Sequence, residues 1–249
     1  MRLSKFVLLL LCFITSVSVS DAQKRIAREV HLGVVGGATL SNYRMNPNVT
    51  QSFSQGFTFG IAARYIEENH FGLAAELLFN QRGLKDQFDV DLYPNLSFER
   101  KINYLELPIL ADIYFNLGSR NVISLDLGPK LGFYLSDSST SKLEGDEWKK
   151  AQSSVYHAYK HHTEPITKKF DYGIQINAGY EFKFSKQMSL QLQGRYYFGL
   201  GNMFSDKKSD AFDNSANQQI QITATIWYRT QIAKFLIKRQ MNKELNKRK

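Results

Sequence analysis

Between residues 29 and 230, apolar side chains recur at every second position in eight separate stretches. A period of two is the mark of β-strands with one apolar face. The stretches lie near 29–41, 55–66, 70–83, 101–115, 121–135, 169–184, 187–200 and 218–229. In the second, Phe57, Phe59, Ile61, Ala63 and Tyr65 alternate with Thr58, Gly60, Ala62 and Arg64. In the fourth, Leu105, Leu107, Ile109, Ala111, Ile113 and Phe115 alternate with Tyr104, Glu106, Pro108 and Asp112. The polar set elsewhere includes Glu76 and Arg82, Asp126 and Lys130, Asp171 and Glu181, Arg195 and Arg229.

The connections between these stretches alternate in length. Residues 42–54, 84–100, 136–168 and 201–217 are long, whereas 67–69, 116–120 and 185–186 are short. Outer-membrane barrels have an even strand number, short periplasmic turns and long extracellular loops. With the N-terminus periplasmic, every short connection falls on the periplasmic side. The reading is therefore an all-β fold, an eight-stranded antiparallel transmembrane β-barrel. Each stretch is about 10–14 residues, long enough to cross a bilayer at a tilt. Aromatics near the strand ends match two interfacial girdles: Phe57, Phe79, Phe133, Tyr196 and Phe198 at one rim, Tyr65, Phe71, Phe115, Phe182 and Tyr228 at the other. A soluble carrier barrel of the lipocalin kind would show the same alternation with inside and outside exchanged. The loop order and the lack of a Gly-x-Trp near the first strand favour lipid.

The ends carry different signals. Arg2 and Lys5 precede an apolar run from Phe6 to Val19, followed by Ser20-Asp21-Ala22. That order predicts a signal peptide over 1–22, cleaved after Ala22. The run is too short for a spanning helix, which needs about 20 apolar residues. Cys12, the single cysteine, lies within it. The barrel domain over 23–230 then has no thiol for a disulfide or a Cys-type zinc site. Of the net charge of +9, +6 sits in residues 234–249 and +1 in the signal segment. The rest is nearly neutral, which argues against nucleic acid as a partner. The basic tail over 231–249 places Ile232, Phe235, Leu236 and Arg239 along one side of a potential amphipathic helix. Two readings stand for it: a surface for anionic head groups or a periplasmic protein, or a frayed basic end.

The segment Asn103-Tyr104-Leu105-Glu106-Leu107-Pro108 resembles the strand motif of the PorT-type outer-membrane β-barrel proteins of Bacteroidetes. Gly36-Gly37-Ala38-Thr39-Leu40-Ser41-Asn42, Glu76 to Gly83, Gly128-Pro129, Asp171-Tyr172-Gly173-Ile174 and Arg195-Tyr196 are similar to other strands of that family. The chain departs from it in running on past Tyr228 and in carrying Asp112 where a basic residue is common. The resemblance implies an outer-membrane location and, through the namesake, a link to protein export by the type IX pathway.

In lipid, the polar set faces the lumen. An eight-stranded barrel has room there only for its own side chains, and buried charges must be paired. Arg64, Glu76, Glu106, Asp126, Lys130, Glu181 and Arg195 are accordingly expected to form a lumen charge network that acts as a plug. Glu106 should pair with Lys130 or Arg195. A proton or ion path is the competing reading. His157, His161, His162 and Glu164 lie in the longest loop. His157 and His161 could share a metal if helical, but a solvated loop without a metal is the expectation. His31 and His70 lie near the periplasmic rim without a nucleophile beside them, and no hydrolase or phosphate-loop motif occurs. Neither an enzyme nor a cofactor is expected. The expected partners are outer-membrane lipid and proteins met by the long loops or the tail. A small transport barrel is the alternative.

Overall fold

The computed structural model describes residues 29–46, 49–68, 70–88, 91–93, 95–143, 160–162, 165–204 and 214–230. The expected signal peptide, the basic tail, His157 and Glu164 lie outside the described residues. Eight long strands follow one another: β1 Glu29–Asn46, β2 Ser54–Glu68, β3 Phe71–Asp86, β4 Ser97–Leu117, β5 Asn121–Lys142, β6 Phe170–Lys183, β7 Met188–Asn202 and β8 Asn214–Thr230. Each pairs antiparallel with its sequence neighbours. β8 returns to β1, from Val30↔Thr230 to Asn46↔Asn214, and closes the ring. A two-residue strand, Gln51–Ser52, lies against Lys85 and Asp86 and brings the sheet to nine strands. Closure leaves no sheet edge, so every strand can enter lipid with its backbone satisfied. Among the described residues, no helix is long and apolar enough to cross a membrane.

The short turns are tight because residues permit it. Gly118, between β4 and β5, has φ of 78°, a left-handed conformation that glycine adopts without a Cβ clash. On β5, a Cβ at Gly128 would lie 2.0 Å from the Ile109 carbonyl oxygen, so the two backbones meet there only because the side chain is missing. The adjacent Pro129 and the facing Pro108 carry no N–H. The β4–β5 register skips from Pro108↔Lys130 to Ala111↔Leu127, and the β3–β4 register from Ala75↔Ile109 to Leu78↔Glu106.

The alternating apolar set faces outward: Val34 is 64% exposed and Ile222 is 71% exposed. With Ile61, Leu73, Leu125, Ile174, Leu192 and Ile226 they form an apolar belt, which water would penalise and lipid accepts. Phe57, Phe59 and Phe79 stack on one another at one margin of the belt.

The strands run further than the sequence pattern indicates, chiefly at the long-loop end, whereas their short-turn ends lie within two residues of it. β5 reaches Lys142 and β4 begins at Ser97. A 22-residue strand rises about 70 Å along its own axis, roughly twice what a 30 Å hydrocarbon core needs at a tilt. The extension over Ser136–Lys142 is polar on both faces, because its outer side meets water. Alternation, the signal that revealed the strand, is therefore absent from it. A bulge between Asn103 and Tyr104, facing Leu135, also shifts the register. Beyond it Asn103 and Ser136 face out, bonded at 3.0 Å, and Asp137 turns in.

Candidate functional site

The barrel has two interiors: a polar lumen and an apolar extracellular cap. In the lumen, inward side chains stack from the short-turn rim upward. Nearest the rim, Arg64 donates from Nη2 to Glu181 Oε2 at 2.8 Å, and to His31 Nδ1 at 3.0 Å. His31 Nε2 in turn donates to Glu29 at 3.1 Å. Asp112 lies 3.5 Å from the same guanidinium, which also sits 4.6 Å over the Trp227 ring. A cavity of about 170 Å³ opens here, lined by Glu29, His31, Arg64, Tyr114, Glu181 and Arg229.

One level up, Arg195 grips Glu76 with both terminal nitrogens, at 2.6 and 3.0 Å. A fork of this kind is the strong form of a charged hydrogen bond. Asp126 accepts from Asn177 at 3.0 Å and from Gln193 at 2.6 Å. Higher still, Glu106 is the hub. It accepts from Lys130 Nζ at 3.0 Å, Asn80 Nδ2 at 2.8 Å and Arg82 Nε at 2.8 Å. Arg82 also pairs with Asp171 and lies 4.1 Å over the Tyr104 ring, while Lys130 Nζ sits 4.0 Å over Tyr197. Glu106 and Lys130 are both 0% exposed.

All seven residues expected to face the lumen do so, in three pairings: Arg64 with Glu181, Arg195 with Glu76, and Lys130 with Glu106. Asp126 is held by amides instead. Of the two partners expected for Glu106, the structure supplies Lys130 and adds Arg82, while Arg195 goes to Glu76. Of the motif residues, Tyr104, Glu106 and Pro108 point inward and Leu105 points outward. Trp227, Val35, Ala62 and Leu78 form a small apolar cluster inside the lumen. They share the inward parity, but apolar side chains on both faces hide it in the sequence.

The cap begins above Arg82. Tyr43, Met45, Val49, Leu84, Phe98, Ile102, Tyr104, Ile166, Met203 and Phe204 form one buried apolar cluster, drawn from three strands and three loops. Beside it, Asp86 at the end of β3 meets a 3-10 turn, Lys160–His162. His161 Nε2 lies 2.9 and 3.0 Å from the two carboxylate oxygens of Asp86, and His162 Nε2 lies 2.6 Å from Oδ2. Phe98 packs on His162 at 3.9 Å between ring centroids and edge-on to His161 at 5.6 Å. Burial raises the Asp86 carboxyl, but hydrogen bonds from the two imidazoles outweigh it and hold the group below its ordinary range. Burial pushes His162 down. The histidine loop was expected to be solvated; its His161 and His162 are packed under the cap. The reason is Asp86, distant in sequence, which draws both imidazoles inward.

No curated protein sequence matches the chain. Among solved structures, Neisserial surface protein A is 14% identical, covering 79% of this chain and 96% of its own, with a TM-score of 0.41. OprG from Pseudomonas aeruginosa is 10% identical, covering 81% and 96%, with a TM-score of 0.45. Ail, the attachment invasion locus protein of Yersinia pestis, is 13% identical, covering 81% and 99%, with a TM-score of 0.36. The model of the outer membrane protein beta-barrel domain matches residues 21–205, the span from before β1 to the end of β7. With that match and the closed ring of strands, the chain belongs to the outer membrane protein beta-barrel domain family, and is an outer-membrane protein whose apolar belt sits in lipid.

Proposed function

We propose that this protein is a closed, non-conducting barrel that works by binding other proteins at its ends. The observation that carries this reading is the lumen at the level of Glu106, where Arg82, Lys130, Asn80 and two tyrosine rings fill the cross-section with fully buried, mutually bonded groups. Opening a path would separate buried ion pairs, at about 3–5 kcal/mol for each one broken. The cavity at the short-turn rim stops below this level. His31 is engaged by Glu29 and Arg64, and His70 Nδ1 lies 3.1 Å from the Tyr114 carbonyl oxygen. Neither sits beside a nucleophile, and the chain has no enzymatic role in this reading.

The finer role is protein export of the type IX kind. Its support is the resemblance of Asn103 to Pro108 to the PorT-type motif. In the same reading, the signal peptide is removed after Ala22 and the tail over 231–249 meets a periplasmic partner or the membrane surface. Planar-bilayer recording of the refolded protein tests the closed lumen. No stepwise conductance is expected, and reproducible channel steps would replace this reading with a transport barrel. Crosslinking and co-purification from native outer membranes tests the export role, for which components of a secretion complex must be recovered.

A further inference from the structure

We propose that Asp86, His161 and His162 form a binding site for one divalent transition-metal ion of the zinc type, on the extracellular side of the barrel. One ligand atom from each of the three residues lies within 4.8 Å of the others. Two imidazoles and one carboxylate are a donor set that suits zinc or copper; magnesium and calcium prefer oxygen alone. Among the described residues the set has three protein donors, and a tetrahedral ion would take its fourth from water, from elsewhere in the chain or from a bound partner.

The surroundings are those of a built site. Successive residues of a 3-10 turn project about 120° apart, yet His161 and His162 both bring Nε2 to one carboxylate. Phe98 holds that convergence by packing on both rings. The His161 carbonyl oxygen is tied to Arg100, whose Nη1 lies 3.5 Å away, and Arg100 is itself fixed to Asp137 at 2.7 Å. Asp86 is anchored at the end of a barrel strand, next to the pairing of Lys85 with Ser52. The present N···O spacings of 2.6 to 3.0 Å are hydrogen-bond lengths. Zinc, with bonds of about 2.0–2.2 Å, needs these atoms only a few tenths of an ångström further apart. A bound ion would join β3 to the long loop between β5 and β6, and so lock the cap.

The refolded full chain in detergent, stripped with a chelator, is titrated with Zn²⁺ by calorimetry and by competition with a chromophoric chelator. One equivalent is expected to bind with a dissociation constant at or below about 10 μM, with Co²⁺ giving the visible absorption of a tetrahedral site. The His161→Ala/His162→Ala double variant is expected to weaken binding at least about 100-fold, and Asp86→Asn about 10-fold or more. Asp86→Asn keeps the size of the side chain and one acceptor oxygen, so it reports on the site even if the double variant folds poorly. Heat-modifiable gel mobility verifies the barrel in each case, and His70→Ala is expected to bind as the parent does. Absence of Zn²⁺ binding in the parent, or full affinity in Asp86→Asn, would overturn the proposal.

Discussion

Along β3 the inward side chains run Glu76, Leu78, Asn80 and Arg82, and then Leu84; along β4 they run Glu106 and Tyr104, and then Ile102, Arg100 and Phe98, so that the balance shifts from mostly polar to mostly apolar. The first members of each series line a polar lumen and the last an apolar cap. The change comes where the outer face leaves the bilayer. Inside it, the outward positions satisfy the hydrophobic effect against lipid, and the interior is left to be filled by paired charges. Above it, the outward positions are Lys85, Lys101, Asn103 and Ser136, which face water. Apolar burial there can occur only inward. What the outer face touches thus decides what the interior of the same strand must be.

The lumen is the place to break this contrast most severely. Glu106→Ala leaves Arg82 and Lys130 buried without their shared carboxylate, and is expected to destabilise the folded barrel by about 3–5 kcal/mol. Urea-induced unfolding in lipid vesicles measures it, and an effect under about 1 kcal/mol would mean that water reaches the hub. In the cap, Leu84→Ala is expected to cost about 2–4 kcal/mol as a cavity. Its signature differs: limited proteolysis should cleave the extracellular end while the heat-modifiable barrel band persists. Loss of both together would show that cap and barrel unfold as one unit.

The smallest effect concerns pH. Burial raises the Asp137 carboxyl, and hydrogen bonds from Tyr134 and Arg100 outweigh it, leaving the group below its ordinary 3.8. A depressed carboxyl contributes stability that is present above the unfolded value and lost as pH falls through the folded one. The part of the cap's protease protection that depends on this pair, read as parent minus Arg100→Met, should therefore be flat from pH 7 to about 5 and begin to decline below about 4, while the lowered His162 adds a separate decline as pH falls below its ordinary 6.5. In Arg100→Met the protection should be lower at neutral pH and its acid dependence weaker. An unchanged acid profile in that variant would remove the pair from the account of the cap.

Where the outer face meets lipid, strand position and facing could be read directly. Alternation at Phe57 to Tyr65 or Leu105 to Phe115 marks the strands, and the alternating loop lengths choose lipid for the apolar face. The inward facing of Arg64, Glu76, Glu106 and Arg195 follows from it by parity. Parity gives height and side only to within a neighbour or two. That is why it could not choose between Lys130 and Arg195 for Glu106, or find Arg82 as the second partner. The cap was not legible at all. Its strand extensions have a polar outer face, a bulge breaks the parity at Leu135, and Phe98 and Met45 sit in stretches that read as loop.

By itself, the sequence determined the ring of eight strands, its insertion in a membrane and the side on which the loops lie. The cause is local: each strand reports its own lipid face through every second residue. Which charges pair in the lumen, and that Asp86 meets His161 and His162, 75 and 76 positions further along the chain, only the tertiary structure decided. Those contacts depend on the stagger of the closed barrel and the path of a long loop, which no single strand records.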